Sequence, residues 1–211
     1  MINDINNVVE FDFFSELSHK VIDLIAHVRV ILFQLDAKAA VKAMTLCNQL
    51  CIELRKAEAD CNDCLLVGIS SDAERYHIVG CAQRCSRLLR IVNQVSIVLQ
   101  GVQDLSGRVD VRDVDKLKSI YLIAEVELKD AVLSIIREDE KLAYSVRQKD
   151  KELDALYQKE MERIFKGATD EMSYNFQTAT SLLFILRAIE RIGDHAKNLA
   201  VPSFFMLAPG R

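Results

Sequence analysis

Leu186-Arg187-Ala188-Ile189-Glu190-Arg191-Ile192-Gly193-Asp194-His195-Ala196-Lys197-Asn198-Leu199-Ala200 is the stretch whose reading decides the fold. Wound as a helix, it places Ala179, Leu182, Leu186, Ile189, Gly193, Ala196 and Ala200 on one stripe with the alternating three-and-four spacing of an apolar seam. Glu190 and Asp194 stand one turn apart beside that stripe. Like charges four apart on a helix cost roughly 0.2 to 0.5 kcal/mol unless a cation lies between them, which points to a compensating arginine, Arg187 or Arg191, or to a metal ion.

Glu190-Arg191-Ile192-Gly193-Asp194-His195-Ala196, one free position, then Asn198-Leu199-Ala200 closely resembles the signature of the PhoU family of phosphate-signalling regulators. The resemblance implies a pair of three-helix bundles carrying carboxylate metal sites. It also implies a role in restraining phosphate uptake and its two-component signalling, through contact with an ABC-type phosphate transporter and a sensor histidine kinase.

The rest of the chain agrees with a helical reading. Its 211 residues are half hydrophobic, enough to bury a core. Both prolines, Pro202 and Pro209, lie in the last ten residues, and only seven glycines are present, so little interrupts long helices. A net charge of -4 lacks the basic excess of a nucleic-acid binder. The N-terminus has no cationic region ahead of an apolar one, and Asp23, His27 and Arg29 break the apolar run that follows, so neither a signal peptide nor a membrane span is expected. The expected location is cytoplasmic, where six cysteines are reduced thiols or metal ligands before they are disulfides.

Periodicity predicts a first helix from about Asn7 to Leu35, with Phe14, Leu17, Val21, Ile25, Val28, Leu32 and Leu35 buried. Asp36 caps a second helix whose stripe runs through Ala39, Ala43, Leu46, Leu50, Leu54 and Ala57. Val67-Gly68-Ile69-Ser70-Ser71-Asp72 reads as a turn and helix cap. The third helix carries Ile78, Cys81, Cys85, Leu88, Val92, Val95, Leu99 and Val102, and Ser106-Gly107 ends it. The pattern then restarts, with helices from about Arg112 to Arg137 and from Leu142 to Lys166, and the signature helix after Gly167. A shift of 101 residues lays the third seam onto the sixth. The expected architecture is all-α, two three-helix bundles from an internal repeat, with residues 1–107 forming the first and 108–211 the second.

In the fifth helix Asp150 lies on the edge of the stripe between Val146 and Leu153, with Asp154 one turn on. Packed antiparallel to the sixth helix, these acids would face Asp194 and Glu190, four hard oxygen donors suited to a metal ion or small cluster. Iron is first among the candidates, followed by manganese, magnesium and zinc. The same Asp-x-x-x-Asp and Glu-x-x-x-Asp pairs resemble the family's; the opposite reading neutralises them with Lys149, Lys151, Arg187 and Arg191. Under the 101-residue shift the first half places Leu89, Asn93, Gln49 and Glu53 at the corresponding positions, so its motif is degenerate, leaving packing, partner contact or a homodimer surface as its part. Val201-Pro202 replaces the glutamate usual in the family after Ala200.

Two rival sites stand beside this reading. Cys61-x-x-Cys64 with Cys81-x-x-x-Cys85 has the makings of a four-thiolate site, but Cys81 and Cys85 sit on core positions. Glu16-x-x-His19 and Glu74-x-x-His77 have di-iron spacing, yet Glu16 and His19 point away from the buried stripe. His195 is either an outer partner of the acids or a surface imidazole. The chain has no glycine-rich phosphate loop and no Gly-x-Ser-x-Gly elbow, so a non-enzyme is expected. The resulting expectation is a metal-clamped regulatory scaffold, with a carboxylate-bridged oxidase or metal-storage protein as the alternative.

Overall fold

The computed structural model describes residues 3–66, 71–109, 111–169 and 175–200, with side chains from Phe14 onward in the first helix and from Val114 in the fourth. The segments 67–70 and Val201-Pro202 lie outside the described residues. Among the described residues six helices follow one another: α1 (Asn3–Gln34), α2 (Ala37–Leu66), α3 (Asp72–Leu105), α4 (Val111–Ile136), α5 (Glu140–Thr169) and α6 (Phe176–Leu199). Among the described residues no strand occurs, and no helix is long and apolar enough to cross a membrane.

Local chemistry sets the helix ends. Ser71 and Asn175 accept the backbone N–H groups of Glu74 and Thr178, capping α3 and α6. Gly107, at φ +76°, takes the left-handed step just beyond α3. Gly167 does not end the fifth helix; α5 continues through it to Thr169.

The turns that join α1 to α2 and α4 to α5 repeat each other bond for bond. Leu35 and Glu138 both adopt positive φ, 51° and 53°. The next amide reaches back five residues, Asp36 to Ile31 at 3.1 Å and Asp139 to Ser134 at 2.9 Å. Asp36 and Asp139 then cap the following helices by accepting from Ala39 and Leu142. The same device opens both halves and fixes a common starting register for α2 and α5.

In each half three helices pack on one another, and the halves join along α3 against α6 and α1 against α4. One hydrophobic core runs through all six helices. Gly101 permits the α3–α6 approach, since a Cβ there would overlap the Ile185 side chain, with Cδ1 at 2.7 Å. Between α1 and α4, the buried Tyr121 hydroxyl donates to the Ile25 carbonyl at 2.8 Å, and Arg29 pairs with the buried Glu125 at 3.1 Å.

The expected stripes of α1, α3 and α6 are buried throughout. The stripe of α2 differs: Leu46 is 50% exposed, and Cys47 takes its place in the buried series Ala40, Ala43, Cys47, Leu50, Leu54 and Ala57. Both spacings from Ala43 to Leu50 satisfy a helical period, and packing against α1 and α3 buries the one that carries the thiol.

Candidate functional site

The acids of the second half meet where α4, α5 and α6 pack together. Asp150 on α5 is 5% exposed, and Lys197 on α6 donates to its Oδ2 at 2.7 Å. The same ammonium donates to Asp194 Oδ1 at 2.9 Å. One lysine thus joins a carboxylate of α5 to a carboxylate of α6. Glu190 is half-buried, with Arg187 Nη1 3.4 Å from its Oε2, an ion pair without hydrogen-bond geometry. Arg187 also lies over the Tyr157 ring. Asp154 is exposed.

A fifth carboxylate comes from α4. Glu127 is 0% exposed and neither of its oxygens has a hydrogen-bond partner. It lies against the backbone of α6, because a Cβ on Gly193 would fall 2.7 Å from its Oε2 and 3.0 Å from Leu153 Cδ1. The glycine of the signature leaves room for this side chain.

Electrostatics follow from this crowding. Burial, and then the nearby Asp150, push the Glu127 carboxyl up to about 8, with Lys197 opposing. Asp154 and Glu190 are also raised, each first by desolvation; Asp150 adds to the effect at Asp154, while Asp194 raises and Arg187 lowers Glu190. Burial works against the charge of Lys197, but its hydrogen bonds to Asp150 and Asp194 outweigh that and hold the ammonium above its ordinary value. His195 is lowered by burial and then by Arg90 of α3, against the pull of Asp194.

The sequence-predicted acids are therefore brought to one region by different amounts: Asp150 and Asp194 share a cation, Glu190 is paired with Arg187, and Asp154 feels Asp150 and Asp194 from the rim. As the side chains stand, no three His, Cys, Asp or Glu among the described residues form a group that could hold a metal ion. Lys149, one of the expected neutralising residues, instead bonds Asp130.

Two residues escaped the sequence reading. Lys197 is the free position of the signature, although its three-residue spacing from Asp194 was a visible signal. Glu127 occupies a seam position in the buried series Leu117, Ile120, Ala124, Glu127 and Ala131, where an acid among apolar neighbours is itself a signal.

The first half builds the same corner from neutral groups. Cys47 and Cys51 stand eleven and fifteen residues after Asp36, as Asp150 and Asp154 do after Asp139. Cys51 lies 3.6 Å from Asn93 Oδ1, and burial pushes the Cys47 thiol up to about 11, partly offset by a hydrogen bond with Ser96. Asn93 and Ser96 match Asp194 and Lys197 under the seam shift. The expected match of Gln49 and Glu53 to Asp150 and Asp154 is corrected by the turn register, and Glu53 bonds Lys20 instead. Of the rival thiols, Cys85 lies near enough to Cys61 and Cys81 for both to raise it further once burial has pushed it up, whereas Cys64 is exposed, and Glu16 and His19 face outward.

Residues 117–201 match the family model of the PhoU domain. A phosphate-specific transport system accessory protein PhoU homologue of Xylella fastidiosa is 26% identical over 69% of this chain, and one of Rhizobium meliloti is 35% identical over 43%. The matched stretches span 66% and 38% of those relatives' lengths. The crystal structure of PhoU from Pseudomonas aeruginosa superposes with a TM-score of 0.85 at 20% identity, covering 97% of this chain and 98% of that one. The phosphate transport system regulatory protein PhoU from Streptococcus pneumoniae gives a TM-score of 0.84 at 18% identity, covering 98% and 97%. These two likenesses establish the fold.

Proposed function

From the PhoU domain carried by residues 117–201 and the PhoU fold of its helices, we propose that this protein is a non-catalytic accessory regulator of phosphate transport. It works in the cytoplasm, docking its helical surfaces on an ABC-type phosphate transporter and its sensor kinase. The observation that carries the reading is the domain match over residues 117–201, the stretch that contains the carboxylate corner. In this reading the corner sets the shape presented to those partners, because it ties α4, α5 and α6 together near the seam.

Beyond Lys197 and Arg187, the corner leaves buried polar oxygens that a metal ion would suit. Buried and without hydrogen-bond partners are both oxygens of Glu127, Asp150 Oδ1 and Glu190 Oε2, acceptors that suit a metal ion. Asp150, Asp154, Glu190 and Asp194 would hold it, with iron the leading candidate and manganese, magnesium or zinc the others. A metal there would supply positive charge and a cross-link between α5 and α6. The residues themselves do the positioning: Gly193 admits Glu127, and Lys197 draws Asp150 to Asp194.

The test is phosphate uptake by the source organism grown with ample phosphate. Deleting the gene is expected to raise uptake several-fold, and re-expression to restore it. Unchanged uptake, with no change in expression of phosphate-starvation genes, would overturn the regulatory role.

A further inference from the structure

Lys197 bridges two of the four acids proposed to hold the metal. Its ammonium lies within hydrogen-bond distance of carboxylates from two helices, Asp150 at 2.7 Å and Asp194 at 2.9 Å. Glu127, fully buried and unpartnered, is held against the same stretch of α6 by the absence of a side chain at Gly193. Glu127 and the charged groups of the corner sense one another, for its carboxyl responds to Asp150, Lys197 and Asp154. The corner thus combines a bound cation with a buried carboxyl that this cation leaves without a hydrogen-bond partner.

Resting on the metal reading above, we infer that Lys197 is a tethered competitor for the metal, an internal cation that a divalent ion must displace to bind Asp150 and Asp194. Two physical facts support the competition. A side chain anchored one turn from Asp194 has a high local concentration at these carboxylates, whereas a metal must arrive from solution. An ammonium and a divalent ion also cannot share the same lone pairs without strong repulsion. Exchange is open to the lysine because its side chain is 28% exposed and its flexible stem can carry the still protonated head into water. The competition makes the corner discriminating: without metal one ammonium offsets part of its negative charge, and the corner yields only to an ion whose charge and coordination exceed what that ammonium offers.

The experiment is a titration of the full chain with manganese(II) by calorimetry, after metal removal, for wild type, Lys197→Met and Lys197→Arg, with folding followed by circular dichroism. Lys197→Met is expected to bind manganese at least about tenfold more tightly than wild type, while Lys197→Arg, which keeps the charge, binds no more tightly than wild type. Metal-free Lys197→Met should melt below wild type and recover on adding manganese. Equal affinity in wild type and Lys197→Met would overturn the competition and leave the metal site standing. Absence of binding in both, with both folded, would overturn the metal site itself and the competition with it. Should Lys197→Met fold only with manganese, the competition is supported; should it fail to fold in either condition, Lys197→Gln is judged by the same affinities.

Discussion

The two halves of the molecule share a frame and differ in what they place at one corner of it. Asp36 and Asp139 open α2 and α5 with identical turns, yet eleven residues on one helix presents Cys47 and the other Asp150. Across from them stand Asn93 and Ser96 in the first half, Asp194 and Lys197 in the second. On the third helix of each half, Val92 fills the place that Gly193 leaves open. Leu24, twelve residues before Asp36, is apolar where Glu127, twelve before Asp139, is acidic. The difference teaches that the helical frame tolerates either a neutral, filled corner or an ionic, opened one, provided every member changes together.

The strongest way to break that comparison is to move one member alone. Cys47→Asp puts a carboxylate at a fully buried site that has no cation, and should cost about 3 kcal/mol or more of folding stability in urea denaturation. Adding Ser96→Lys should recover part of the loss; no recovery would show that the two corners are not equivalent.

Glu127 gives the next largest effect, read in the metal-free protein. Its folded value of about 8 lies above the unfolded value of 4.5, so the folded state holds a proton that the unfolded state releases. Its contribution is fully present below about pH 4.5 and is lost as pH rises to about 8, at up to about 1.4 kcal/mol per pH unit. Chemical denaturation across that window should show the decline in wild type and a much flatter profile in Glu127→Gln. Equal slopes would mean that Glu127 is already ionised.

The smallest effect sharpens the comparison sterically. Gly193→Ala gains up to about 1 kcal/mol of helix propensity but drives a methyl group into Glu127 and Leu153, both fully buried, so the net should be a loss of about 1 to 2 kcal/mol. Combining it with Glu127→Ala should remove most of that loss, as measured by melting temperature. A Gly193→Ala variant as stable as wild type would show that the glycine is not needed for the close approach.

Sequence alone determined the six helices, the three-and-four seams, the caps at Asp36 and Ser71, and the presence of acids beside two of the seams. These are local properties, set by periodicity, capping and charge within a few turns. The tertiary structure alone decided which of two allowable stripes α2 buries, because only the packed register distinguishes Leu46 from Cys47. It also decided how Asp150 and Asp194 are neutralised. Lys197 is three residues from Asp194 but forty-seven from Asp150, and no spacing along the chain reports that α5 brings Asp150 to within 2.7 Å of its ammonium. Glu127 was legible as a misplaced acid on an apolar stripe, but its nearness to Gly193 depends on how closely α4 and α6 approach. That separation is set by side-chain volumes on two helices at once, a quantity that one-dimensional periodicity does not contain.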